Sequence, residues 1–280
     1  MNFIFGIYGF HVTQPIVLDG LCSIKPRTSD HRQAEEWAKD SKTYHLTATI
    51  ETHSIPNDFL FNLEAILSFI ENRDVLILDT VKNNTSTELP LFITMNRRKN
   101  GLGSVINQDT FFPNIRKMFI SKSLEKLMDK EFCEKTQFNI LFFKYIESFR
   151  QPKMFVDVSY FLLFSGLESY SRSVAQDEKT KNSNNASEPI CKLLTQFGFD
   201  VSIERPADLR RAISTYTHLR NALFHNSQFK KGVNVNGSNV ELKLFDYFAN
   251  FSILVSLVIL KAVDFDDENT NWNSWISMQS

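Results

Sequence analysis

The sequence predicts an α+β chain: a β-rich mixed region at the N-terminus, followed by a helical domain. Three observations carry this. Short β-branched and aromatic runs bounded by turn formers fill the first hundred residues. Long stretches with helical apolar spacing dominate from residue 121 onward. Between them lies a basic, glycine-containing segment, residues 96–104, with Arg97, Arg98, Lys99, Gly101 and Gly103. It reads as a linker, so domains are expected at 1–104 and 105–280.

In chain order, residues 3–10, 16–24 and 44–50 read as strands. Asn57 can cap a helix over residues 58–71, in which Phe59, Leu60, Leu63, Ile66, Leu67 and Ile70 share a face. Residues 75–81 and 91–95 read as strands, joined by a polar turn over 82–87. Helices follow over 121–132 and 137–149, with Pro152 as a break. A long apolar helix covers 154–175 and contains Glu168. Residues 176–188 are polar and low in complexity, which predicts a mobile loop. A short helix spans 190–197, stopped by Gly198, and another runs from Pro206 to His225. Asn236-Gly237 marks a hairpin between residues 233–235 and 240–242. The last helix covers 244–263, before an acidic tail.

Composition narrows the function classes. A formal net charge of −1 gives no whole-chain attraction to nucleic acid or to an anionic membrane, so any such role needs a local basic surface. Cys22, Cys133 and Cys191 are odd in number and far apart, without a CxxC pair. That argues for a reducing compartment, taken as the cytoplasm, and against structural zinc or a disulfide framework. The apolar N-terminus lacks a basic leader and contains Gly6 and Gly9, so it reads as a strand. Residues 245–263 are interrupted by Asp246, Asn250, Ser252, Ser256 and Lys261, and read as a buried bundle helix. The 26 phenylalanines read as core.

The residues that carry chemistry are Arg220-Asn221-Ala222-Leu223-Phe224-His225. On a helical wheel with Leu209 at zero, Ile213, Tyr216, Leu223 and Phe224 fall at about 40°, 340°, 320° and 60°. Arg220 falls at about 20°, inside that apolar stripe, where a guanidinium must be paired, line a cleft or face a partner subunit. Asn221 and His225 lie four apart on the polar flank, where the amide can hold the imidazole. The turn after His225 offers one route for bringing it back toward Arg220. A histidine titrates near neutrality and can move a proton to or from a ribose 2′-OH or a leaving 5′-oxygen. An arginine can hold the phosphate between them.

Between Arg205 and Lys231 there are six basic residues and one acidic residue, Asp208. Arg211, Lys230 and Lys231 are the candidate RNA contacts in that run. The alternative is a solvated basic helix face. Tyr216 can stack a base or pack in a core, and its place on the stripe favours the core. The six histidines form no metal-ligand spacing, and no cofactor is called for.

The string from Leu219 to His225 resembles the HEPN superfamily, in particular its ApeA-like and abortive-infection members. The resemblance covers residues 154–263 and rests on Arg220, Asn221 and His225 near a helix end. It implies an up-and-down helical bundle and a metal-independent endoribonuclease that leaves a 2′,3′-cyclic phosphate and a 5′-OH. It also implies a homodimer with a composite site, a tRNA or mRNA substrate, and an antitoxin or phage-derived trigger. Glu168 is the carboxylate it implies in support of the arginine, and the N-terminal domain is implied to be a sensor or regulatory domain. A non-catalytic module binding a nucleotide, RNA or protein partner is the alternative.

Overall fold

The computed structural model describes residues 3–79, 81–82, 87–94, 103–107, 114–150, 155–266 and 268–277. Most of the expected linker, including Arg97, Arg98, Lys99 and Gly101, lies outside them, as does Pro152. The architecture is mixed α+β, with antiparallel sheets. The chain divides into two compact units, Met1–Asp129 with Phe149–Met154, and Lys130–Ser148 with Phe155–Ser280.

The first unit holds strands β1 (Phe3–Tyr8), β2 (Ile16–Leu18), β3 (Cys22–Pro26), β4 (Thr43–Thr52) and β5 (Leu76–Asp79). They form a sheet of order β2-β3-β4-β1-β5. A two-stranded ladder, β6 (Val81–Lys82) with β7 (Thr87–Glu88), lies outside this sheet, and β8 (Phe92–Thr94) pairs with β4. Residues 16–24 are thus two strands rather than one, because Gly20 takes φ +74 and turns the chain. Helix α1 (His31–Lys39) was not expected. It buries only Ala34 and Ala38 fully, which is too faint an apolar signal, but Asp30 caps it by accepting from the Gln33 amide.

Helix α2 (Phe59–Glu71) starts after Asp58 in a left-handed conformation, not from an Asn57 cap. It packs on helix α3 (Ile115–Met128), with Phe69 and Phe119 stacked at 5.1 Å. So α3 joins the sheet-bearing unit, and the division falls after Asp129 where the sequence reading put it after residue 104. The reason is a buried ion pair. Arg116 lies 3.1 Å from Glu71, with side chains 3% and 5% exposed. Its guanidinium also donates to the His11, Asn107 and Ile106 carbonyls. Glu71 in turn accepts from the His11 amide and the Ser104 hydroxyl.

The second unit contains α4 (Lys130–Thr136), most of α5 (Phe138–Arg150), α6 (Val156–Ser173), α7 (Glu178–Lys181), α8 (Ser187–Gln196), α9 (Ile213–Asn226), α10 (Leu244–Ala262) and α11 (Ser274–Ser277). Between α9 and α10 a hairpin pairs β9 (Lys230–Val235) with β10 (Ser238–Lys243) through Asn236-Gly237, both at positive φ. Its core gathers on Phe251 of α10, with Tyr216 at 4.9 Å, Tyr160 at 5.2 Å and Phe164 at 6.0 Å. The Tyr160 hydroxyl donates to the Tyr216 carbonyl at 2.8 Å, tying α6 to α9. Tyr216 is therefore core, and its own hydroxyl donates to the Arg210 carbonyl. Burial pushes both phenols above their usual value, so each stays a donor. Helix α10 is long and apolar enough to cross a membrane, but 61% of that stretch is buried within the structure.

Two further expectations change. Residues 176–188 hold α7, capped by Asp177, which also pairs with Lys192, while Arg172 donates to the Lys181 and Ser183 carbonyls. The charges that suggested solvation and mobility are used in pinning the segment. Helix α9 begins at Ile213, not Pro206. The Ser202 amide donates to the Arg211 carbonyl and the Ile213 amide to the Ser202 carbonyl, so this stretch bridges in parallel instead of coiling.

Replacing Arg116 with Ala leaves Glu71 buried without its cation and uncovers three carbonyls. Urea unfolding of the full chain is expected to show a loss of about 3–5 kcal/mol in the first unit's transition. The second unit's transition should be unmoved.

Candidate functional site

Helix α9 carries the motif on its last two turns. Its early turns are buried on several sides, with Ile213, Ser214, Thr215, Tyr216, Thr217 and Leu219 all covered. The Ser187 and Thr217 hydroxyls meet at 2.8 Å and hold α8 on one flank. Toward its end the helix emerges: Leu223 is half-buried, and Phe224 is 55% exposed. The expected apolar stripe is thus real at Ile213 and Tyr216 and fades at Phe224.

Arg220 sits at that transition, with its side chain 30% exposed. One guanidinium nitrogen lies 3.4 Å from Glu168 Oε2 on α6, and another donates to Asn221 Oδ1 at 2.9 Å. The Arg220 guanidinium carbon stands 5.5 Å from the Phe164 ring centre and 5.6 Å from that of Phe224. Both are within cation–π range. The other Glu168 oxygen accepts from Arg172 Nη2 at 2.9 Å and Nε at 3.1 Å. One carboxylate is thus shared by two arginines, leaving a net positive charge in this group between α6 and α9. A separate groove of about 330 Å³ toward the start of α6 is lined by Asp157, Val158, Phe161, Leu223, Phe224, Ser227 and Phe229, and shares Phe224 with the surroundings of Arg220.

Of the residues expected in the site, Arg220, Asn221 and Glu168 come together. Asn221 holds the arginine rather than the histidine. His225 is exposed on the last turn, and among the described residues its ring makes no hydrogen bond or ion pair. The helix stays regular through Asn226, and the left-handed residue is Ser227. The turn therefore comes too late to swing His225 back toward Arg220. Within one chain the two remain separated by about 140° around the axis and about 7.5 Å along it.

The basic run also divides. Arg211 pairs with Asp200 and Asp208, and Arg205 with Asp200 at 2.7 Å. Asp200 lies outside the window that suggested a basic excess. Arg211 precedes α9 and Lys230 follows it, so they stand at opposite ends of a helix about 20 Å long. Lys230 and Lys231 are exposed at the base of the hairpin, with Lys230 paired to Glu241 at 2.9 Å. Phe229 and Phe245, both exposed and stacked at 5.9 Å, flank them. A phenylalanine in a sequence signals core, so nothing in the pattern marked this pair as surface.

Among the described residues no group of three or more His, Cys, Asp or Glu is gathered as a metal site. Compared with family models, curated proteins and solved structures, the chain matches none.

The shared carboxylate sets an order of stabilities. Arg220→Ala leaves Glu168 paired with Arg172, and should cost about 1 kcal/mol or less in chemical denaturation. Arg172→Ala also strips two carbonyls of the α7 segment, and should cost about 2 kcal/mol. Equal costs would show that the Arg172 bonds to the Lys181 and Ser183 carbonyls add nothing to stability.

Proposed function

We propose that the second unit is a metal-independent endoribonuclease of the HEPN type, working as a homodimer. The observation that carries this reading is the placement of Arg220. A cation held by Glu168 and Asn221, yet 30% exposed, is positioned to bind an anion without leaving its supports. His225 lies exposed on the same helix end, free to exchange protons with a substrate.

The chemistry follows from these two groups. His225 takes the proton from a ribose 2′-OH as that oxygen attacks the adjacent phosphorus. The P–O5′ bond breaks, the 5′-oxygen leaves as an alcohol by taking a proton from water, the imidazolium of His225 returns its proton to the solvent hydroxide so formed, and a 2′,3′-cyclic phosphate remains. Arg220 neutralises charge on the non-bridging oxygens through the attack. Because Arg220 and His225 of one chain diverge, one subunit supplies the arginine and the other the histidine to each phosphate. The helical bundle of the second unit is then HEPN-like, the first unit is a sensor or regulatory domain, and a cytoplasmic tRNA or mRNA is the substrate. Activity would be held back by an antitoxin or released by a phage-derived trigger, as in a toxin or phage-defence device. A second reading, a non-catalytic module that binds a nucleotide, RNA or a protein partner, is favoured by the existing Arg220–Glu168 pairing, which a phosphate must share.

Expression tests the first reading. The wild type should arrest growth and cut tRNA or total RNA to ends bearing 2′,3′-cyclic phosphate, with EDTA making no difference. His225→Ala and Arg220→Ala should each slow cutting by about a hundredfold or more and relieve the arrest. The reading fails if the wild type and His225→Ala grow alike and the purified protein leaves both RNAs intact.

A further inference from the structure

His11 stands between β1 and β2, where β4, α2 and α3 of the first unit all take hold of one short stretch of chain. The Phe10 amide donates to Thr47 Oγ1 at 3.2 Å, and the Arg116 guanidinium carbon lies 5.1 Å from the Phe10 ring centre. The His11 amide donates to Glu71 at 3.2 Å, and the His11 carbonyl accepts from Arg116. The buried Arg116–Glu71 pair thus grips the main chain of His11 from both sides. The same guanidinium holds the Ile106 carbonyl at 3.0 Å and the Asn107 carbonyl at 3.2 Å. The His11 side chain has no such provision. Its Nε2 is closed off from water and, among the described residues, has no hydrogen-bond partner. A neutral imidazole can leave one ring nitrogen without a proton, whereas the imidazolium must donate from both. A proton taken up here therefore creates a charged donor that lacks an acceptor, in the field of the Arg116 guanidinium.

Among the described residues, the charged or titratable groups that face this ring are Glu71 from α2, Arg116 from α3, and Glu35 and His31 from α1. Burial is the first cause holding the imidazole below its ordinary value; Glu71 and Glu35 oppose it, and Arg116 and His31 add to it. Glu71 is already committed to Arg116, the His11 amide and the Ser104 hydroxyl. Glu35 is exposed and holds Lys39. An imidazolium gains an acceptor by competing with Arg116 for Glu71, or by turning out toward Glu35. The first course loosens Arg116 directly, and the second draws the His11 main chain away from it. We propose that His11 is an acid-released latch: protonation of its ring frees Arg116 from residues 9–12 and 103–107 and loosens the joint of α2 and α3 with the sheet. The clasp lies wholly within the first unit, so the latch operates whether or not the second unit cuts RNA. The folded unit binds this proton less readily than the unfolded chain does. The latch's contribution to stability is therefore complete above the ordinary histidine value of 6.5, and it is lost as pH falls through the lowered one.

Amide hydrogen exchange on the full chain tests this, at about pH 7.5 and about pH 5.5, after correction for the intrinsic pH dependence of exchange. The amides of Phe10 and His11, and that of Val105, which donates to the Ile70 carbonyl, are expected to lose protection severalfold at the lower pH. The amides of the β1–β4 ladder should be unmoved. His11→Gln keeps a polar end without a titrating proton, and should show the same protection at both pH values. His53→Gln, an exposed histidine of the same unit, should still lose protection on acidification. Should His11→Gln fail to fold, nuclear magnetic resonance on the wild type decides: the His11 ring must titrate in step with the Val105 amide. The latch is overturned if the wild type keeps its protection at the lower pH. It is equally overturned if His11→Gln loses protection as the wild type does, or if the ring and the Val105 amide titrate apart. Neither growth arrest nor RNA cutting enters these outcomes, so the latch and the nuclease reading fail separately.

Discussion

The arrangement of the second unit's site depends on one carboxylate with two cations. Glu168 is mostly buried, and a lone buried carboxylate is costly. Arg172, four residues on in the same helix, supplies a cation regardless of tertiary structure, and Arg220 supplies a second only when α9 is packed in place. The Arg172 guanidinium also collects the carbonyls at the end of α7. Three segments are fixed relative to one another through a group of three charges that sums to one positive charge. The aromatic contacts on Phe251 supply the apolar adhesion between α6, α9 and α10. They leave the axial placement of the motif to the polar groups. A hydrophobic residue at position 168 would pack the same helices and leave Arg220 without its carboxylate partner on α6.

The parts of this arrangement that could be read in advance are those that depend on local pattern. The α+β character, helix α10 and the hairpin turn at Asn236-Gly237 all follow from spacing or turn chemistry over a few residues, whereas Glu168 was implied only by the family resemblance. Arg220 in an apolar stripe had to be paired, line a cleft or face a partner subunit, and it is paired with Glu168 while its side chain stays 30% exposed. What escaped depends on distant partners. Residues 206–212 look helical by composition, but Ser202 claims the backbone there. Helix α3 reads as the start of a helical domain, but Arg116 needs Glu71, and so it joins the sheet. Asn221 sits four residues from His225, yet its oxygen goes to the arginine next to it. The basic excess around α9 dissolves once Asp200 comes into reach of Arg205 and Arg211.

Helix α10 shows how little hydropathy alone decides. Its sequence would satisfy a bilayer, and its burial comes instead from α6, α9 and the short α11, where Asn250 donates to the Trp275 carbonyl. An amide in the middle of such a helix is satisfied by a protein carbonyl, a partner that lipid could not supply.

The hairpin between α9 and α10 has a consequence for how the chain assembles. Its ladder and the Leu244–Phe229 closure join residues close in sequence, so the return from one core helix to the next requires little loop entropy. Contacts of that kind form quickly, whereas those joining α6 to α9 must wait for a longer excursion of the chain. The long apolar helix α10 would then be delivered beside α9 soon after it is synthesised, which shortens the time its surface is open to aggregation.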